Sequence, residues 1–429
     1  MILDMALWGF AGVLAVLCLI VAMRGLGKDA VSVKGRSIAL TKPMAWTGER
    51  FTRSMGFSAI LWGLGILLAY FVASAVYCAV TSDEVSWSSL YYAWKHYDAH
   101  HYRVLAEMGY HNYTNEEHLF LVFFPLYPWL VHGLAQVIPN YDLCGHLLSA
   151  ACFVGSCYML ARMTTEEFGS RIGKLTLALF SAYPWAFFFA AYYTESLFML
   201  LSLITFYCIR RHRYFLVGVF GALAALTRMQ GILLAVVGVV EYVVSEKPQR
   251  KLRARMWPEL WHDLWSKLFC IALAGLGIVA YLWLNYSVEG NPFQFTIYQD
   301  QQWFQHFVPL PRCLRVIVEY LISTWPARVC ITTWIPNAAV FLLCLAAAAY
   351  GVRRLPPTWM TYFLLVFMMN FSLSWPLSCG RYIASAFPLP VMLATASSRR
   401  PLLRYFLIAF SLILQGALLF GFLSGKSVY

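Results

Sequence analysis

The chain has 429 residues, 61% of them hydrophobic and 12% charged, and a mean hydropathy of +0.63. An ordinary soluble domain is about 45–50% apolar, so that class is excluded. The formal net charge of +12 would suit a nucleic-acid binder in a soluble chain; in a membrane chain it asks which loops hold the excess, and no nucleic-acid partner is expected.

Apolar stretches of about 15–25 residues recur, the length that crosses a hydrocarbon core. None alternates with the period of two that a transmembrane barrel requires. The expected fold is an all-α polytopic membrane protein with about 12 membrane helices, forming one integral membrane domain over residues 1–429. In chain order they fall near 6–23, 57–80, 142–162, 174–190, 196–210, 214–227, 231–244, 268–286, 329–350, 358–373, 382–397 and 404–422. The first lacks a basic leader and a small-residue cleavage site, so it reads as a retained helix and not a signal peptide.

Basic clusters occupy 24–53, "RRHR" at 210–213, "EKPQRKLRARM" at 246–256, "RR" at 353–354 and "SSRRPLLR" at 397–404. This threading puts all of them on one side, which the positive-inside rule makes cytoplasmic. The stretch "LFLVFFPLYPWLVHGLAQVIP" at 119–139 would upset that assignment if it crossed. Pro125 and Pro128 mark it instead as re-entrant or surface-lying. The eleven cysteines are scattered without a CxxC pair and read as small core residues.

Two large loops, 81–141 and 287–328, then share the other face with three short turns: "YYTES" (192–196), "TRMQG" (227–231) and "SLSWPLSCGRY" (372–382). Asp98, Glu195, Arg228 and Arg381 come to that face from four separate stretches. The densest polar run is "YAWKHYDAHHYRVLAEMGY" at 92–110. Its spacing predicts a surface-lying helix with Asp98 as N-cap, an apolar stripe of Tyr102, Leu105, Ala106 and Met108, and a stop at Gly109. Capping alone explains Asp98; an acid at a membrane boundary also suits chemistry, because a capping carboxylate is rigidly aimed. His96 and His100 lie four apart, but a helix start between them and the absence of further ligands argue against zinc. No metal and no cofactor is expected.

"YDAHHYRVLAEMGY" followed by "FFPLYPWL" resembles the aspartate and proline motifs of the PIG-V-like mannosyltransferases, the family of the second mannosyltransferase in glycosylphosphatidylinositol synthesis. The likeness continues in order through "YPWAFFFAAYYTESLFML" (183–200), "LTRMQG" (226–231), "GNPFQFTIYQDQQW" (290–303) and "SCGRYIASAFPL" (378–389), covering most of the chain from about 90 to 390. Where the family often has an Arg-Trp pair before the acid, this chain has His96 and Tyr97. The resemblance implies a GT-C-type membrane glycosyltransferase with a polyprenyl-phosphate sugar donor, most specifically mannose. It also implies a lipid-linked or glycan acceptor, and Asp98 as the catalytic base.

Inverting transfer from a sugar phosphate needs one general base and a cation for the departing phosphate. Arg381 and Arg228 suit the phosphate, although each could instead snorkel from a helix end. Glu195 either complements a helix N-terminus or binds sugar hydroxyls. Of His100, His101 and Tyr102, two are expected to face the cleft. Tyr382 beside Arg381, and Gln302 in the glutamine-rich aromatic run 293–307, complete the expected substrate contacts. Sequons stand at Asn112, Asn285 and Asn370. The alternative is a lipid or glycan transporter or flippase, which would favour a midplane site and matching halves. With no retrieval signal at "LSGKSVY", the expected compartment is a bacterial cell membrane with the site facing outside, or the lumenal side of the endoplasmic reticulum in a eukaryote.

Overall fold

The computed structural model describes residues 2–27, 30–33, 36–39, 47–81, 86–112, 119–426 and 428. Long apolar runs give long helices: α1 (Ile2–Gly25), α2 (Arg53–Thr81), then the short α3 (Trp87–Ala93), α4 (Asp98–Met108) and α5 (Leu126–Ala135). Next come α6 (Tyr141–Phe168), α7 (Ser170–Ser181), α8 (Glu195–Arg210), α9 (Tyr214–Thr227) and α10 (Leu233–Glu246). The chain continues through α11 (Pro248–Arg253), α12 (Trp257–Asp263), α13 (Phe269–Ala272), α14 (Gly275–Glu289), α15 (Gln294–Trp303) and α16 (Leu310–Ser323). It ends with α17 (Ile335–Gly351), α18 (Pro357–Asn370), α19 (Cys379–Ile383), α20 (Pro388–Ser397) and α21 (Pro401–Leu423). A four-residue antiparallel pair, Ala30–Val33 with Arg36–Ala39, is the departure from helix among the described residues.

Among the described residues, six helical stretches are long and apolar enough to cross a membrane, and a seventh is formed if the bent pair Trp257–Ala272 and Gly275–Glu289 counts as one span. The chain is thus an all-α polytopic membrane protein. The outward faces of the long helices are greasy, with Trp8, Leu61, Leu68, Phe406 and Ile413 exposed, as a lipid-facing surface demands. The interior is aromatic: Phe153, Phe187, Phe198, Tyr192 and Trp359 are fully buried.

Each expected apolar segment is helical, but several are broken. The segment expected at 174–190 stops at Ser181 before Pro184 and resumes only as a 3-10 turn, Ala186–Phe189. That expected at 382–397 breaks at Ala384–Phe387 ahead of Pro388. The 119–139 stretch is a 3-10 turn, Leu119–Val122, and the ten-residue α5. At 1.5 Å per residue that helix is about 15 Å long, half a bilayer core. All eleven cysteines are free thiols and most are buried. Asn285 and Asn370 are buried within helices, so of the three sequons only Asn112 is exposed.

The polar groups separate to opposite ends of α8. At its C-terminus Arg210 bridges Glu167 and Glu241, each at 2.8 Å. Trp359 and Thr358 donate to the same two carboxylates, and Arg24 bonds the Val352 carbonyl. The basic stretches around 24, 210 and 353 therefore converge. Glu195 opens α8 at the other end.

Close packing of α9 on α13 and α14 rests on two glycines. A Cβ on Gly218 would collide with the Cys270 carbonyl oxygen, and one on Gly277 with that of Ala222. This is the small-residue contact that lets helix backbones approach in a bilayer. Replacing Gly277 by Ala is expected to lower the thermal midpoint in detergent by the equivalent of about 1–3 kcal/mol, despite alanine's better helix propensity. Gly65→Ala, at a position with nothing within 4 Å, should be neutral or stabilising.

Candidate active site

At the α8 N-terminal end the chain breaks repeatedly, and each break presents a charged or polar side chain. Asp98 lies at the start of α4, Glu195 at the start of α8, Arg228 after α9 and Arg381 in α19. The four meet. Arg381 Nη1 donates to Asp98 Oδ2 at 2.9 Å, and its Nε donates to Glu195 Oε1. Arg228 Nη1 reaches the same Glu195 oxygen at 2.9 Å. Side-chain exposure runs from 29% at Asp98 through 9% at Arg381 to 2% at Glu195. Glu195 is thus an anchor beneath the surface, and Asp98 is the accessible end of the chain of charges.

Asp98 is not the N-cap that its spacing suggests. Tyr97 occupies that position with φ 54° and ψ −123°, and no side chain caps the helix. Asp98 is already helical, and its carboxylate goes to Arg381, an ion pair with a full positive charge in place of a bond to an uncharged backbone N–H. The positive φ of Tyr97 is a strained conformation for an aromatic residue. It is held from both sides: Tyr193 Oη donates to the His96 carbonyl at 2.7 Å, and the His96 ring lies within 3.3 Å of the Leu423 carbonyl. Gly109, with φ 73°, ends α4 as expected. Ala99, Tyr102, Leu105 and Ala106 form its buried stripe, while Met108 is exposed.

A cavity of about 670 Å³ opens over this cluster, within the usual range for small-molecule sites. Asp98, His101, Tyr102, Arg228, Gln302, Arg381 and Tyr382 all line it. Glu195 lies beneath and not on the wall. His100 is exposed and off the cavity, so of the three neighbours it is His101 and Tyr102 that face inward. His101 stacks on Phe120 with ring centroids 4.1 Å apart, and its Nδ1 is buried without a hydrogen-bond partner. Burial holds its imidazole below the usual histidine range, against the pull of Asp98. Burial does the same to His96.

Three contributors were not legible as site residues. Tyr193 lies under the Arg381 guanidinium at 4.5 Å and Phe188 at 5.0 Å, a cation–π cradle. Both sit in the aromatic run before Glu195, which was the available signal. Val428 also lines the cavity, and no sequence pattern announced it.

Residues 124–274 match the family described as dolichyl-phosphate-mannose-protein mannosyltransferase. The matched stretch runs from α5 to α13, about a third of the chain. It holds Glu195 and Arg228 but neither Asp98 nor Arg381. No curated protein and no solved structure matches the chain. The family match supports a membrane glycosyltransferase of the GT-C type.

Removing Arg381 leaves Glu195 and Asp98 short of their shared counter-charge. Arg381→Ala is expected to destabilise the protein by about 3–5 kcal/mol, read as a lower thermal midpoint, with Arg381→Lys intermediate because lysine cannot bridge two carboxylates in a fixed fork. A second outcome concerns pH. Because folding depresses the His96 and His101 imidazoles, the unfolded chain binds protons first as pH falls below the ordinary histidine value of about 6.5. Stability is full above that value and declines as pH drops toward the folded-state values. A His96→Gln/His101→Gln variant should show a flatter melting profile from about pH 7 to about pH 5.

Proposed function

We propose that this protein transfers a sugar, mannose in the first instance, from a polyprenyl-phosphate donor to a lipid-linked or glycan acceptor. The reaction is a single inverting displacement with Asp98 as general base. The observation that carries this reading is the Asp98–Arg381–Glu195 chain of charges, with Asp98 and Arg381 on the wall of one cavity and Glu195 beneath it. It sets a reachable carboxylate beside a guanidinium locked from below.

The acceptor oxygen forms its bond to the anomeric carbon while the bond from that carbon to the phosphate oxygen breaks. The electron pair leaves on the polyprenyl phosphate, and the acceptor proton passes to the Asp98 carboxylate. Arg381 is shared between the two events. As Asp98 takes the proton its hold on Nη1 weakens, and the guanidinium turns to the phosphate whose negative charge is growing. Arg228, 5.0 Å over the Tyr382 ring and tied to Glu195, is the second cation available to that phosphate. The neutral His101 and Tyr102 contact the sugar.

The matched family is named for dolichyl-phosphate mannose, and the likeness of 92–110 and the later motifs to PIG-V-like mannosyltransferases points to the same donor class. The site faces away from the cytoplasm, because the basic loops gather at the opposite end of the bundle. The expected setting is a bacterial cell membrane.

Radiolabelled mannose supplied as synthetic polyprenyl-phosphate-mannose should be transferred to a membrane lipid extract by the wild type. Asp98→Asn should reduce transfer by about 10²–10⁴-fold while retaining donor binding, with a lower thermal midpoint because Arg381 loses one of its two counter-charges. Equal product from both proteins would remove Asp98 from the chemistry.

A further inference from the structure

The cavity has two chemically different walls. The first carries Asp98, Arg228 and Arg381. The second is built from the end of α15, the segment 304–308 and the segment 372–377. Between 295 and 307 and between 369 and 378, its lining residues include no lysine or arginine. This wall offers ring faces, amides and one histidine, and no lysine or arginine to hold a phosphate.

What it offers is rigidly placed. Trp375 is braced by Tyr320 and Trp334, with ring centroids 5.0 and 5.5 Å away. Trp303 packs edge-on to Phe123. Gln299 donates to Gln305, which in turn donates to the Trp375 carbonyl. His306 Nδ1 lies 2.7 Å from Asp300 Oδ1. A carboxylate accepts, so Nδ1 carries a proton, and Nε2 is the ring nitrogen not turned to Asp300, on a residue that lines the cavity.

The backbone of this wall is already committed. Phe304 N–H donates to the Asp300 carbonyl and Gln305 N–H to that of Gln299. His306 N–H donates to Ser374 Oγ, and the His306 carbonyl accepts from Ser374 N–H. Val308 N–H donates to the Ser372 carbonyl, and Phe307 pairs with Leu373. An extended peptide binds chiefly by adding main-chain hydrogen bonds to a free edge. Here the edges that 304–308 and 372–375 turn toward each other are spent on the protein itself.

We infer that this second wall is the acceptor subsite and that it takes a saccharide, not a peptide. Sugar C–H faces stack on Trp303 and Trp375, Gln302 bonds ring hydroxyls, and His306, oriented by Asp300, hydrogen-bonds a hydroxyl through Nε2. The inference rests on the transferase reading for the word acceptor, but the saccharide site itself does not need transfer to be tested.

The test uses full-length protein in lipid nanodiscs without donor. Binding of butyl α-mannoside and a panel of other butyl hexosides is followed by tryptophan fluorescence, with a Ser/Thr-containing peptide as competitor. At least one glycoside should bind. His306→Ala and Gln302→Ala should each weaken it about tenfold, the loss of roughly one net hydrogen bond, without changing polyprenyl-phosphate-mannose binding, and the peptide should not compete. Asp300→Asn should weaken glycoside binding less than His306→Ala, since it disturbs only the orientation of the imidazole. Failure of every glycoside to bind, binding indifferent to the His306 and Gln302 changes, or displacement by the peptide would each overturn the inference. Glycoside binding with no transfer from any polyprenyl-phosphate sugar would leave the saccharide site standing and remove the transferase reading alone.

Discussion

A buried arginine held between two acids governs this end of the molecule. Arg381 is nearly inaccessible, and its charge is balanced by Glu195 beneath and Asp98 above. Burying a guanidinium is affordable only with such partners. Four chain breaks must therefore converge to within hydrogen-bond reach, and the positions of α4, α8, α9 and α19 are tied to one another through a single side chain. Tyr193 and Phe188 stack against the same group, so the aromatic turn before α8 is fixed by the same constraint.

This convergence explains why several membrane helices are short. A helix that crosses without interruption satisfies its own backbone but presents only side chains. A helix that stops, as α7 does at Ser181 and α9 at Thr227, releases backbone groups that something else must satisfy. The structure uses 3-10 turns, Ala186–Phe189 and Met229–Ile232, to do so. The breaks cluster at the cavity end. At the opposite end the ion pairs of Arg210 with Glu167 and Glu241 knit the helix ends together. One end is braced and the other is opened.

Hydropathy made the helices legible, because bilayer crossing imposes length and composition directly on sequence. Charge made the two ends legible, since basic residues segregate to one side. The convergence of Asp98, Glu195, Arg228 and Arg381 could be anticipated as a shared face but not as contacts. The hydrogen bonds that join positions 98, 195 and 381 depend on tertiary packing that no local pattern records. The cap at Asp98 misled for the same reason: the local propensity was real, and a distant arginine outbid it. His100 and His101 differ by one position on a helix, hence by about 100° of rotation, and only the packing of α4 against Phe120 and Phe123 decides which of them turns inward. The breaks near Pro184 and Pro388 were announced by proline, whereas the strained Tyr97 had no sequence signal.

The division of the cavity into a charged wall and a neutral one bears on how a single base could suffice. The cluster of two acids and two arginines is neutral as it stands. In the proposed reaction a phosphodiester donor adds one negative charge beside the arginines. A neutral acceptor on the wall without lysine or arginine adds none, so the charge moved in that reaction is confined to Asp98, Arg381 and the phosphate. A second wall lined with lysine would pull the phosphate from the base, and one lined with carboxylates would compete with Asp98 for the proton. The Asp300–His306 pair avoids both: its acid is already engaged with an imidazole, and what remains is the second ring nitrogen of that imidazole. For the proposed transfer, a wall free of lysine and arginine leaves the direction of both the proton and the leaving group to the other wall.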